Sequence, residues 1–347
     1  MLAAVYHGPN DIRLEERPIP NIDADEALLR VRAAGICGTD LRILHGHHRL
    51  YPPGTQRIPG HEIVGDIAAV GDGVAGLSVG QRVIVAPNAG CGHCHLCIRG
   101  DNNLCRQYQA IGVTMDGGFA EYMRIPAPMI SQGNVIPTDA AADAAVSTLI
   151  EPFACVLRGQ RTLQVGPGDI VLIVGAGPMG LLHLLLARLS GASRIIVSEV
   201  QPVRLVQARQ GRADFAVNPQ SQDLREIVMD ESNGRGADVI VIAAPSHSAQ
   251  QSALELAAVG GRINYFGGLP KNRPLIESDS NAIHYKELRV TGTTGCSTGD
   301  CRKAAEILEA GRIDLSPLVS HRFPLTEVLA AYETAQSQEA LKTILLP

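Results

Sequence analysis

Eight cysteines are spread unevenly over 347 residues. Four of them, Cys91, Cys94, Cys97 and Cys105, fall within the stretch CGHCHLCIRGDNNLC as C-x2-C-x2-C-x7-C. Four thiolates close a tetrahedral zinc shell and leave no position for water or substrate, so this set predicts a structural zinc. A closed shell cannot act as a Lewis acid on a substrate. An iron–sulfur cluster is the other chemistry open to four thiolates, but its cysteine spacings differ from these. His93 and His95 lie inside the loop and are expected to face solvent, because the cysteines already complete the set.

A second group of donors is scattered. Cys37 sits in GICGTD, His61 and Glu62 in PGHEIVGDIAAVG, and Glu151 in TLIEPFAC. A thiolate, an imidazole and a carboxylate make a mixed shell with room for a water or an alcohol. Spacing alone does not bring them together. Taken singly, His61 reads as a structural histidine, and Glu62 and Glu151 as surface or paired acids. Cys155, Cys296 and Cys301 read as small buried hydrophobes.

The third motif is GAGPMG, with Gly175, Gly177, Pro178, Met179 and Gly180. It follows an apolar run, VLIV, and opens an apolar helix-like run, which is the context that G-x-G-x-x-G needs to bind a dinucleotide. Gly175 permits the tight turn, Gly177 lets backbone approach a pyrophosphate, and Gly180 lets helix and strand pack closely. The helix N-terminus offers N–H groups and a positive dipole end to the phosphates. Glu199, at the end of RIIVSE, stands where a carboxylate accepts the adenosine ribose hydroxyls and repels a 2′-phosphate, so NAD is favoured over NADP. Arg204, five residues on, is placed either to cover the adenine face or to soften the exclusion of NADP.

Elements that could position these groups are legible along the chain. The first ~150 residues are rich in turns and in short β-branched segments bounded by Gly or Pro, such as EALLRVRAAG, GHEIVGDIAAVG and GQRVIVAP, which suggests a barrel or sandwich. From about residue 165 the pattern becomes strand–helix alternation: GDIVLIV, RIIVSEV, DFAVNP, DVIVIAA, RINYFGG and ELRVTGT are short apolar strands with helical stretches between most of them. That alternation means βαβ units and a parallel sheet. The tail from about residue 296 reads as two helical stretches and a closing strand, LKTILLP. The expected fold class is therefore α/β in two domains.

Composition narrows the partners. The chain has 35 acidic and 30 basic side chains, a net charge of −5, and 45% hydrophobic residues. That balance argues against nucleic acid or an anionic membrane surface. No basic-then-apolar leader opens the sequence, and the most apolar run, LLHLLLARL, is far short of the ~20 residues of a membrane span. A cytoplasmic protein is expected, in which clustered cysteines bind metal rather than pair as disulfides.

GICGTD, GHEIVGDIAAVG, the four-cysteine stretch, DGGFAEY, IEPFAC and VLIVGAGPMG, in this order, resemble the zinc-dependent alcohol dehydrogenases of the medium-chain dehydrogenase/reductase family. The nearest branch is the polyol (sorbitol-type) and threonine dehydrogenases, and the resemblance spans essentially the whole chain. It implies a GroES-like β-barrel catalytic domain at residues 1–154 with a zinc lobe at about 88–108. A Rossmann NAD-binding domain would follow at 155–294, and a segment at 295–347 would complete the catalytic domain. It further implies two zinc ions per chain. Cys37 and His61 would bind the catalytic one, with carboxylate from Glu62 and Glu151, and either glutamate could be the resting ligand. Thr39 matches the hydroxyl that takes the substrate proton. Phe119 and Tyr51 would wall the pocket.

The implied activity is reversible NAD-linked oxidation of a secondary alcohol, such as a polyol, sugar alcohol or cyclitol, to its ketone. Alternatives are a threonine- or sugar-phosphate-directed relative and, more remotely, a non-catalytic scaffold that binds NAD and zinc. A homodimer or homotetramer is implied as the assembly. Two features depart from the branch. Arg42 stands three residues after Thr39, where many relatives carry a relay histidine, leaving His45, His47, His48 or water to carry the proton. GTTGCST at 292–298 places Gly295 and Cys296 where sorbitol dehydrogenases of the mammalian type carry Arg-Tyr, which weighs against sorbitol itself.

Overall fold

The strand Ala27–Ile36 changes character along its length. Ala27, Leu29 and Val31 point inward while Arg30 and Arg32 are exposed, and from Ala33 to Ile36 every residue is buried. Half-exposed alternation therefore gives way to burial on both faces, as in a strand that passes from a sheet's rim into its middle. The computed structural model describes residues 1–337 and 339–347. It divides the chain into two units, Met1–Ala154 with Cys296–Pro347, and Cys155–Gly295.

In the first unit, Ala27–Ile36 is flanked by Glu62–Val70 and by the C-terminal strand Lys342–Leu346, both antiparallel to it. The sheet runs Val319–Pro324, Lys342–Leu346, Ala27–Ile36, Glu62–Val70, Arg82–Val85 and Val135–Pro137, and Tyr122–Ile125 also pairs with Ala27–Ile36. Register matters here: Gly35 lies opposite Glu62 on one side and Ile344 on the other. A hairpin, Leu2–Gly8 with Asp11–Glu16, stands apart from this sheet. Ile63, Ile67, Phe119, Met123 and Tyr332 fill the core. The tail holds the expected helices, Thr298–Glu309 and Val328–Gln336, and closing strand, and adds the strand Val319–Pro324, which was not legible because SHR interrupts its apolar character. Ser297 and Asp300 start the first of these helices as a reciprocal capping box.

The second unit is a six-stranded, all-parallel sheet in the order Phe215–Val217, Arg194–Ser198, Ile170–Val174, Ala237–Ile242, Ala257–Tyr265, Arg289–Gly292. Numbered within the unit that is 3-2-1-4-5-6, the doubly wound order of dinucleotide-binding folds. Each crossover is long enough to carry a helix, as parallel pairing requires. The central strand Ile170–Val174 reads IVLIV because it is covered on both faces.

Inside this unit the helix Pro178–Leu189 buries His183 completely. Its ring meets the Phe266 ring edge-on at 4.6 Å, Nδ1 lies 3.3 Å from Gln160 Nε2, and Nε2 has no partner. Burial pushes the imidazole down to about 3. The unfolded chain then binds a proton that the folded one refuses, between about pH 6.5 and 3. The resulting stability is complete above pH 6.5 and is lost as pH falls through that window. His183→Gln should remove this dependence. Between pH 7 and pH 5 the wild-type unit should lose about 2 kcal/mol more than the variant, and equal slopes in denaturant titrations would contradict it.

Candidate active site

Cys37 is the N-cap of the short helix Gly38–Leu44, and its backbone N–H donates to Asp40 Oδ2 at 2.9 Å. Asp40 is fully buried. Its other oxygen accepts the Gly60 N–H at 3.3 Å and lies 3.7 Å from His61 Nδ1. One carboxylate thus braces two loops, one presenting Cys37 and the other His61. Glu62 follows His61 as the first residue of its strand and is fully buried. The donor atoms of Cys37, His61 and Glu62 all lie within 4.8 Å of one another.

Glu62 is held from the far end of the chain. Lys342 Nζ lies 2.6 Å from Glu62 Oε1 and 2.5 Å from Oε2, and donates to the Ile36 carbonyl at 3.1 Å. Burial works against the ammonium, and the Glu62 carboxylate overcomes it, so the Lys342 pKa is raised. The close approach also explains Gly35. A Cβ there would stand 2.1 Å from Glu62 Oε2, so the cross-strand partner of Glu62 must be glycine.

Glu151, in the first turn of Ile150–Leu163, stands outside the Cys37–His61–Glu62 group. Burial pushes its carboxyl up, while the charges of His61 and Lys342 pull it down and that of Glu62 adds to the rise. Cys296 Sγ lies 3.5 Å from Glu151 Oε1 and donates to it. Cys296 therefore does more than fill space, and its own carbonyl accepts from Asn88 Nδ2 at 2.8 Å.

The first-unit donors suit a metal cation. His61 Nδ1 is buried without a hydrogen-bond partner. Burial pulls the imidazole pKa down, but Asp40 and Cys37 overcome it and leave it well above the ordinary value, so the surroundings favour a cation at this ring. A thiolate, an imidazole and a carboxylate are zinc-type donors that leave a fourth position.

The four-cysteine loop suits a different kind of site. Sγ atoms of Cys91 and Cys97 are 4.0 Å apart, of Cys94 and Cys97 3.6 Å, and of Cys94 and Cys105 3.8 Å. A tetrahedron with Zn–S bonds of ~2.3 Å has edges of ~3.8 Å, so the sulfurs stand at zinc-shell spacing. The Cys97 N–H pulls the Cys94 thiol down, while burial pushes the Cys97 thiol up, so the spacing of the sulfurs rather than their acidity is what marks a metal site. His93 and His95 are exposed, as expected. Asparagines tie the loop inward: Asn102 Nδ2 donates to the Asn88 carbonyl and to Thr298 Oγ1, and Asn134 Nδ2 also donates to the Asn88 carbonyl.

In the second unit, Gly175 has φ +101° and Gly177 caps the helix Pro178–Leu189. A Cβ on Gly180 would fall 1.8 Å from the Gly175 carbonyl oxygen. Pro178 and Met179 form the first turn of that helix. Glu199 is spent partly on the protein itself. Oε1 accepts the N–H of Val200 and Gln201 at 2.7 and 3.0 Å, and Oε2 accepts Ala176 N–H at 2.8 Å, which locks the glycine turn to the next strand. Arg204 lies over the turn, with Nη1 3.8 Å from where a Gly177 Cβ would be.

Phe119 is fully buried against Tyr332 and packs beside Gly60, next to His61, and Tyr51 is buried with its hydroxyl donating to the Gly112 carbonyl at 2.8 Å. Asp40 and Lys342 carry the geometry without belonging to either donor set above. Asp40 follows Thr39 directly, and Lys342 is a charge opening an otherwise apolar strand, which is a readable anomaly.

Known proteins share the sequence pattern and the fold. The alcohol dehydrogenase GroES-like domain family matches residues 23–136, and the zinc-binding dehydrogenase family matches residues 178–310. Sorbitol dehydrogenase of Bacillus subtilis is 34% identical over 356 aligned positions, covering 100% of this chain and 97% of that protein. L-threonine 3-dehydrogenase of the same organism is 32% identical, covering 96% and 94%. The fold superposes on a zinc-binding dehydrogenase of Sinorhizobium meliloti bound to NADP with a TM-score of 0.92 at 31% identity, covering 100% of this chain and 99% of that one. The chain belongs to the zinc-dependent alcohol dehydrogenases of the medium-chain dehydrogenase/reductase family, in its polyol and threonine dehydrogenase-like branch. It is an oxidoreductase that uses zinc and a nicotinamide cofactor. Among the described residues, no helix is long and apolar enough to cross a membrane.

Removing Lys342 leaves the Glu62 charge buried and unpaired. Lys342→Met should destabilise the metal-free protein by about 3–5 kcal/mol in denaturant titrations, and adding Glu62→Gln should recover most of that. A Lys342→Met loss below about 1 kcal/mol would show that the pair does not hold the strand.

Proposed function

We propose that this enzyme oxidises a secondary alcohol of a polyol, sugar alcohol or cyclitol reversibly to the ketone, with NAD as acceptor. The observation that carries the reading is the convergence of Cys37, His61 and Glu62 donors within 4.8 Å, two residues from the Thr39 hydroxyl. Zinc bound there supplies the Lewis acidity that brings an alcohol's pKa toward neutrality.

The chain's own residues do the rest. Cys37 and His61 are the fixed ligands, braced by Asp40. Glu62 and Glu151 are the exchangeable carboxylates, and Lys342 and the Cys296 thiol hold them when they are not engaged. Thr39 Oγ1 accepts the substrate hydroxyl proton. It already accepts a hydrogen bond from Arg42 Nη2 at 3.3 Å. Arg42 is permanently charged and takes no proton, so the proton leaves Thr39 by water or through the neighbouring histidines. A bound nicotinamide would supply the acceptor for the carbinol hydrogen as hydride.

Gly175, Gly177, Pro178, Met179 and Gly180 form the pyrophosphate turn, with Glu199 beside it as the ribose acceptor. A carboxylate fixed by three backbone N–H groups resists displacement by a 2′-phosphate, which supports NAD over NADP. Cys91, Cys94, Cys97 and Cys105 hold the second, structural zinc. Two thiolate-bearing zinc sites need reduced cysteines, which fits a cytoplasmic enzyme. A homodimer or homotetramer is the expected assembly.

Metal analysis and turnover separate the two sites. Wild type should carry two zinc ions per chain and each single-site variant one. Cys37→Ser should abolish NAD reduction at 340 nm with every polyol while leaving NAD binding nearly intact, and full activity would refute the assignment. Cys94→Ala should lower the thermal midpoint or break the assembly. An inactive Cys94→Ala of native stability and native quaternary structure would contradict its structural role.

A further inference from the structure

The chain carries a net charge of −5, yet no Asp or Glu occurs between Leu41 and His61. Residues 42–57 instead hold three arginines and three histidines. This basic stretch starts in the helix that presents Thr39 and ends beside His61. Most of the bases tied down in it serve the fold. Arg57 donates to the Leu50 and Val113 carbonyls and lies 4.9 Å over the Tyr51 ring. His45 sits between Asn10 Oδ1 and Gln336 Oε1.

Arg42 is different. It is exposed, its hydrogen bond goes to the neutral Thr39 hydroxyl, and among the described residues no carboxylate pairs with it. The acids bordering this stretch are already engaged. Both oxygens of Asp40 are committed to Cys37, Gly60 and His61. Asp11 is held by Arg13 at 2.7 and 2.8 Å, and Asp116 accepts the Ile58 N–H at 3.0 Å. A guanidinium has five N–H donors in a rigid fork that fits carboxylate and phosphate, and one of them is used here. Its charge is therefore available to a ligand at the atom where the reacting hydroxyl must bind.

We propose that Arg42 is a specificity residue that binds an oxyanion carried by the alcohol itself, the carboxylate of a sugar acid or the phosphate of a sugar phosphate. The inference rests on the dehydrogenase reading above and sharpens its substrate class. An acidic polyol places its reacting hydroxyl on Thr39 and its anionic group on the fork. A neutral alditol leaves the fork to water, and an amino alcohol brings its ammonium against a like charge.

The test uses the full-length, zinc-loaded enzyme with NAD and matched sets of alditol, aldonate and alditol phosphate. In wild type, one acidic member should exceed its neutral counterpart in kcat/KM by about tenfold or more, the worth of one charge-assisted hydrogen bond. Arg42→Gln should collapse that acid-to-neutral ratio, mainly through KM, and Arg42→Lys should restore part of it. Thermal unfolding gives a readout without turnover: the preferred acid should raise the midpoint of wild type and not of Arg42→Gln. Aldonate and phosphate arms identify which oxyanion is bound. The proposal is overturned if wild type uses alditols as well as acids, or if Arg42→Gln leaves the ratio unchanged. It is also overturned if Arg42→Gln raises KM for NAD alone, which would assign the fork to a cofactor phosphate. If no polyol is oxidised at all, the dehydrogenase reading fails instead, and the thermal shift alone decides whether Arg42 holds an oxyanion.

Discussion

The register of three strands fixes the reactive half of this molecule. Ala27–Ile36 lies between Glu62–Val70 and Lys342–Leu346, with Gly35 opposite both Glu62 and Ile344. That alignment places Cys37 just past one strand end, His61 just before the start of the next, and Lys342 beside both. Because side chains alternate along a strand, a slip of one residue would turn Glu62 away from Lys342 and bury neither properly. The cost of misregister is thus a buried carboxylate without its counter-charge, several kcal/mol against the wrong pairing. Electrostatics here enforces sheet geometry as much as chemistry.

Local signals made much of this visible without coordinates. Gly- and Pro-bounded β-branched runs marked the strands of the first unit, and the change to strand–helix alternation near residue 165 marked the second. The dinucleotide turn was readable because its requirements are local: a glycine at φ +101° and another with no room for a Cβ. The four cysteines were readable for the same reason, since a loop of fifteen residues contains the whole set.

The scattered site was not readable in that way. Cys37, His61, Glu62 and Lys342 meet through strand pairings between segments up to 306 positions apart, and no periodicity encodes which strands pair. Asp40 was hidden because one of its oxygens meets the N–H of Gly60 and the ring of His61 on another loop. Arg42 was visible only as a departure. Its meaning depends on which neighbouring acids are already engaged, and that needs coordinates.

The Glu62–Lys342 pair also sets an order of events. The two residues are 280 positions apart, and the lysine sits in the last strand of the chain. At ~5–20 residues per second, a ribosome makes Glu62 roughly a quarter to one minute before its partner exists. The Cys155–Gly295 unit is complete in sequence before that strand appears. The first unit cannot seal around Glu62 until Lys342 has left the ribosome. Its metal donors are therefore made early but held in final geometry only once Lys342 has been made, so the order of synthesis delays completion of the site.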